Sequence, residues 1–257
     1  MENNIKPNKR LGQNFLINKY TISTILEILD IKDNDYVIEI GPGKGALTHH
    51  IINKTKNYVG VEKDENLSNF LKKEYKNKIN IINQDILKTD FNIIFNKKYR
   101  IIGNIPYNIS TKILTKCIEN RKNISTIHLM MQKEFSDRVI SIHGNKTYGR
   151  LSVLSQIFFK IEKYIDIKPS DFYPEPKIYS SFLSLTPRKN IIINDSEQDD
   201  FLKFVKEIFS TRRKKIKNCI NINSIELYDN INKRAEELSI SEMVKLYRDI
   251  KDNGKFI

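Results

Sequence analysis

Val37-Ile38-Glu39-Ile40-Gly41-Pro42-Gly43-Lys44-Gly45-Ala46 decides the fold. A short β-branched run passes into a glycine-rich turn, and a helical pattern follows over Ala46–Lys54. That order describes one strand–turn–helix unit of a parallel sheet. Glycines let the turn approach a ligand where a side chain would collide. The spacing is GxGxG, short of the GxGxxG dinucleotide fingerprint, and Lys44 lacks the Ser or Thr that follows it in a Walker A loop. Taken alone, the loop suits a structural turn as well as a cofactor site.

Working outward, further short runs lie at Tyr58–Glu62, Asn80–Asn83, Tyr99–Gly103, Thr126–Met131, Leu151–Phe159 and Ser181–Leu185. Helix-like stretches such as Leu67–Tyr75 separate the earlier ones, so the expected class is α/β with a mostly parallel sheet. The last two runs have no helix between them and suit an antiparallel pair at one edge. Thr21–Leu29 reads as a helix ahead of this core, with Ile22, Ile25, Leu26 and Leu29 apolar. After Pro187 strand signals stop, and Asp199–Ile220 and Ser241–Lys251 carry helical periodicity. Two domains are expected: 1–187, and a small all-α domain over 188–257.

The 257 residues are 39% hydrophobic, enough for a core, and carry 44 Lys+Arg against 31 Asp+Glu, a net +13. That excess suits a polyanionic partner, although Lys and Asn also fill surfaces through coding bias. Lys, Asn or Asp interrupts every Ile-rich run, so no membrane partner is expected, and the polar start Met1–Arg10 is no secretory signal. Cys117 and Cys219 stand apart, and the four histidines lack metal-ligand spacing. A reducing cytoplasm and no metal are the expectation.

Two acids sharpen the reading of the loop. Glu62 ends the second strand 21 residues beyond Gly41, placed to accept hydrogen bonds from two ribose hydroxyls. Asp85 ends the third, where it can accept from an adenine amine. A ligand with ribose and adenine but no pyrophosphate describes S-adenosylmethionine better than NAD. Asn104-Ile105-Pro106-Tyr107 then closes the fourth strand. The Asn104 side-chain oxygen and the Ile105 carbonyl can both accept from an exocyclic NH2, drawing its lone pair out of conjugation and toward a methyl donor. Pro106 restricts the turn. Tyr107 offers a ring to an extruded base.

These residues together resemble the KsgA/Erm family of rRNA adenine dimethyltransferases, from about Lys9 to the end. The matching segments are Leu11-Gly12-Gln13-Asn14-Phe15-Leu16, Glu39–Gly45, Asn104–Ser110 and Phe172-Tyr173-Pro174-Glu175-Pro176-Lys177. The resemblance implies a Rossmann-like class I methyltransferase sheet. It implies cofactor contacts at Asn14 and Leu16 beside Gly41, Gly43, Glu62, Asp85 and Asn104, and it makes Phe172 the partner of Tyr107 across the target base. Met131–Glu134, Tyr148–Val153 and Arg212-Arg213-Lys214 look like the KsgA branch, which modifies small-subunit rRNA, although Lys217-Asn218-Cys219-Ile220 departs from the usual tail motif. The expectation is therefore double methylation of N6 on two adjacent adenosines near the 3′ end of 16S rRNA, within an immature subunit, by a monomer yielding S-adenosylhomocysteine.

Arg212-Arg213-Lys214-Lys215-Ile216-Lys217 carries five positive charges and no acid. It reads either as a solvated face or as a phosphate contact, with Arg150 as a further RNA-binding candidate. An Erm-type large-subunit enzyme, a non-catalytic assembly factor of the same fold and an NAD-dependent oxidoreductase are the rival readings. The missing third glycine spacing disfavours the last.

Overall fold

The computed structural model describes residues 5–76, 78–211, 213–220 and 229–252. In chain order its strands are β1 (Phe15–Leu16), β2 (Val37–Ile40), β3 (Tyr58–Glu62), β4 (Asn80–Asn83), β5 (Tyr99–Asn104), β6 (Ile124–Gln132), β7 (Phe159–Ile167), β8 (Phe172–Tyr173) and β9 (Ser180–Pro187). The helices are α1 (Lys19–Leu29), α2 (Thr48–Ile51), α3 (Glu65–Glu74), α4 (Ser110–Glu119), α5 (Lys133–Ile140), α6 (Arg150–Phe158), α7 (Gln198–Ile208) and α8 (Ile240–Asp252).

Seven strands form one sheet in the order β4-β3-β2-β5-β6-β9-β7. The pairs β4–β3, β3–β2, β2–β5 and β5–β6 are parallel, and β6–β9 is antiparallel. This is the expected α/β class with its antiparallel edge. Every residue of β2 and β3 is buried, Glu39 and Glu62 included, so neither run alternates between a core and a solvent face. Strand order reverses at β2, so its carboxyl end opens onto the crevice where such sheets bind ligands. Ile25 and Leu29 of α1 join β2, β5 and β9 side chains in the core.

One expected strand is a helix. Residues 151–158 form the body of α6, and β7 begins only at Phe159. Leu151, Val153, Ile157 and Phe158 are all buried, so α6 is apolar around most of its circumference and shows no periodicity to separate it from a strand. A second expected helix is shorter than its periodicity implied: α7 ends at Ile208, and from there to Ile220 the described residues are helical only in a single 3-10 turn at Ile216–Asn218.

The chain divides into two compact units, Met1–Ser136 with Ile161–Pro187, and Asp137–Lys160 with Arg188–Ile257. In the second, Phe201 and Phe204 of α7 pack on Tyr247 of α8 with ring centroids 5.5 and 5.8 Å apart. Glu197 fixes the same helix pair through both carboxylate oxygens, which accept from Arg248 at 3.1 and 3.0 Å. No helix among the described residues is long and apolar enough to cross a membrane.

Candidate active site

Gly41, Gly43 and Gly45 all take positive φ, at +62°, +59° and +83°. Side chains rarely adopt that conformation, so the turn needs glycine for its shape alone. Gly43 is required twice over, because a Cβ there would lie 3.1 Å from the Phe15 ring. The loop is thus covered from the N-terminal side, with the Lys44 ammonium 5.2 Å from the centre of the same ring. Glu62 ties the loop to β3. One carboxylate oxygen accepts from Gly43 N–H at 3.1 Å and the other from Asp64 N–H at 2.9 Å. Burial raises the Glu62 pKa, and those backbone donors partly offset the rise.

Asp85 lines the same cleft. Its two oxygens accept from Leu87 N–H at 2.9 Å and from the Lys63 ammonium at 2.9 Å. Partial burial alone would raise its pKa, but Leu87 N–H and Lys63 outweigh that and hold it below the usual carboxylate range. Any amine arriving here shares Asp85 with Lys63, a partner that strand-end spacing does not reveal.

Asn104 ends β5 and lines the same cleft. Its Nδ2 donates to the Asn14 carbonyl at 2.8 Å. Engaging the NH2 end fixes the amide orientation and leaves Oδ1 as the acceptor end. Ile105 N–H donates to the Met130 carbonyl at 3.1 Å, anchoring the turn to β6. The Tyr107 hydroxyl and Ser180 Oγ are 2.8 Å apart, and burial pushes the phenol pKa up. Asn104, Ile105, Pro106 and Tyr107 all line the cleft with Gly41, Gly43 and Glu62.

The segment before β1 closes over this cleft. Asn14 and Leu16, the expected cofactor contacts, line it, and so does Gln13, for which the sequence suggests no role. Gln13 Nε2 donates to Asp64 Oδ2 at 2.8 Å while its Oε1 accepts from Asn8 N–H at 2.7 Å. Asp64 also caps α3 through its other oxygen, so one carboxylate joins the N-terminal segment to the β3–α3 corner.

Phe172 is buried beneath this segment. Its ring is 3% exposed and belongs to the core cluster with Leu16, Ile25 and Phe182. Among the described residues the cleft lining includes Tyr107 but not Phe172. The β1–β8 pairing sets Phe172 opposite Leu16, a residue that itself lines the cleft.

Glu39 is the titratable group that sequence reasoning passed over, although it stands beside the glycine turn. It lines the cleft, and one oxygen accepts from Tyr58 OH at 2.6 Å and Thr48 Oγ1 at 2.7 Å. Burial pushes its pKa up to about 7, and the two hydroxyls only partly offset that. Above the unfolded value of 4.5 and below about 7, the folded state holds a proton that the unfolded state releases. This contribution to stability is therefore complete below pH 4.5 and is lost as pH rises through about 7. Urea melts of the parent should show the decline, and Glu39→Gln should flatten it; equal slopes in both proteins would contradict the assignment. Of the unassigned residues, Cys117 is buried in α4 and His128 stacks on Phe182 at 6.0 Å, whereas His49 and His50 are exposed.

In the second unit Arg213, Lys214, Lys215 and Arg150 are all exposed, while Arg212 lies outside the described residues. Buried Ile216 pins the run, its N–H donating to the Lys233 carbonyl at 2.9 Å. Lys215 pairs with Arg234 in an isolated antiparallel bridge. The bridge adds exposed Lys233 and Arg234 to the basic cluster, a proximity set by tertiary pairing and invisible in sequence.

Comparison with known proteins bears on the whole chain. The family described as ribosomal RNA adenine dimethylase matches residues 4–252. A ribosomal RNA small subunit methyltransferase A of Pelagibacter ubique is 43% identical over 92% of this chain and 89% of its own length. Among solved structures, a dimethyladenosine transferase from Plasmodium falciparum aligns over 95% of this chain and 100% of its own, with TM-score 0.83 and 25% identity. The 23S rRNA methyltransferase ErmE, at 21% identity and TM-score 0.67 over 93% of this chain and 100% of its own, shares the fold. The cleft lined by Gly41, Glu62 and Asn104 thus stands in a chain that belongs to the ribosomal RNA adenine dimethylase family.

Proposed function

We propose that this chain is an S-adenosyl-L-methionine-dependent rRNA adenine-N6,N6-dimethyltransferase acting on two adjacent adenosines near the 3′ end of small-subunit (16S) rRNA. One observation carries the reading: Asn104 offers an oriented Oδ1 in the same cleft as the glycine cradle and Glu62. The cradle fits a nucleoside sulfonium. Its turn holds three glycines at positive φ, Glu62 keeps lone pairs for ribose hydroxyls, and Asp85 stands at the adenine end. When bound, S-adenosylmethionine supplies an electrophilic methyl and leaves as S-adenosylhomocysteine.

The chain's own residues position the acceptor. The adenine N6–H groups donate to Asn104 Oδ1 and the Ile105 carbonyl, which draws the nitrogen lone pair out of conjugation with the ring and toward the methyl. The nitrogen, cationic after transfer, then releases its proton to water. Pro106 holds the turn, and Tyr107, fixed by Ser180, supplies a stacking face. Orientation and fixed dipoles do the catalytic work, so no side-chain nucleophile is needed. Residues 1–187 act as the cofactor and catalytic domain in this reading, and 188–257 contribute RNA contact through Arg213, Lys214 and Lys215, with Arg150 alongside them. The substrate is an immature small subunit met in the cytoplasm by a monomer, and no metal takes part. The naming of the Pelagibacter relative for the small subunit favours this over the Erm-type reading.

Labelled methyl transfer to purified ribosomal subunits tests the proposal. Label is expected in small-subunit RNA; label confined to large-subunit RNA would reverse the branch. Alanine at both Arg213 and Lys214 should weaken RNA binding and reduce the slope of log affinity against log salt by about 1 to 2. An unaltered slope would return the basic run to a merely solvated surface.

A further inference from the structure

The ribbon formed by β1 and β8 has two faces with different fates. Leu16 and Phe172 lie opposite one another, and both are in the core. Phe15 and Tyr173 form the next pair and so share the other face. Phe15 covers the glycine loop, whereas Tyr173 is 57% exposed. Ile17 continues the pairing, its N–H donating to the Asp171 carbonyl at 2.8 Å. By alternation it joins the Phe15–Tyr173 face, and it is 55% exposed.

Both ends of this rim are tied to the Asn104–Tyr107 segment. Asn14, immediately before Phe15, accepts from Asn104 Nδ2 at 2.8 Å. At the other end the loop leaving Tyr173 finishes at Ser180, whose Oγ is 2.8 Å from the Tyr107 hydroxyl. Exposed Lys19 and Lys177 follow Ile17 and Tyr173 closely in the chain. An exposed ring with an aliphatic neighbour and flanking ammonium groups is the chemistry that holds unpaired nucleic acid, by base stacking and phosphate attraction.

We propose that Tyr173, supported by Ile17, stacks the nucleobase next to the one being methylated. The inference rests on the function proposed above, in which the target is a pair of adjacent adenosines. While one base occupies the cleft, its neighbour emerges at the rim and meets the Tyr173 ring. Phe172, turned inward, anchors the ribbon that presents it.

The test uses a synthetic RNA hairpin with 2-aminopurine replacing one adenosine of the pair. Full-length parent protein should bind it and quench the 2-aminopurine emission. Tyr173→Ala should weaken binding about 10-fold, the loss of one base–aromatic stack, and restore the emission. Tyr173→Phe should behave as the parent, because the ring and not the hydroxyl makes the contact. S-adenosylmethionine affinity, measured by calorimetry, should be the same in all three proteins. Parent-like binding and quenching by Tyr173→Ala would overturn the inference, as would a parallel loss of cofactor affinity, which would make the residue a packing element. If the parent transfers no methyl to small-subunit RNA, it is the underlying function that fails.

Discussion

Asn104→Ala is expected to lower the single-turnover rate of methyl transfer by about 10²- to 10³-fold, the loss typical of removing one preorganised group from a transition state. The acceptor matters most as the amine nitrogen leaves conjugation with the ring, so the effect falls on the rate more than on binding. RNA affinity should change by less than about 3-fold, because phosphate contacts elsewhere supply most of it. Cofactor affinity should fall modestly, since the Asn14 carbonyl loses the Nδ2 donor that holds the N-terminal segment in place. Asn104→Asp separates the two contributions. It keeps an oxygen toward the amine but sets a carboxylate against the Asn14 carbonyl, so it should loosen the segment while keeping part of the rate. An alanine variant with parental turnover would remove Asn104 from the amine-acceptor role.

Glu62→Ala should weaken S-adenosylmethionine binding by about 100-fold, with two causes acting together. The ribose hydroxyls lose their acceptor, and the Gly43 and Asp64 N–H groups lose the carboxylate that satisfies them. Each donor left buried and unpaired costs about 1–3 kcal/mol. Glu62→Gln should be intermediate, because its single carbonyl oxygen can satisfy one of those donors but not both. Calorimetric titration of the three proteins with S-adenosylmethionine measures the series. Equal affinity in all three would show that the carboxylate serves loop geometry alone.

The parts of this site legible in sequence are those encoded by consecutive residues. The turn at Gly41–Gly45 and the Asn104–Tyr107 run each carry their geometry locally, through positive φ and a proline-restricted peptide. Features made by distant pairing were not legible. Gln13 meets Asp64 and Tyr107 meets Ser180 only because the sheet and ribbon bring them together, and Lys215 meets Arg234 only through an isolated bridge of the second unit. Phe172 is the instructive case. Its motif is plain in the sequence, but a one-residue change of register decides which of Phe172 and Tyr173 faces the core, and the pairing with Leu16 sets that register. Likewise α6 reads as a strand because a short helix buried on most sides has little polar face to betray its period.

The most direct test of the account is the chemical identity of the product nucleoside. Small subunits incubated with the protein and labelled S-adenosylmethionine should, after digestion to nucleosides and mass spectrometry, give N6,N6-dimethyladenosine. Label on a ring nitrogen, a ring carbon or a ribose oxygen would contradict an amine held by Asn104.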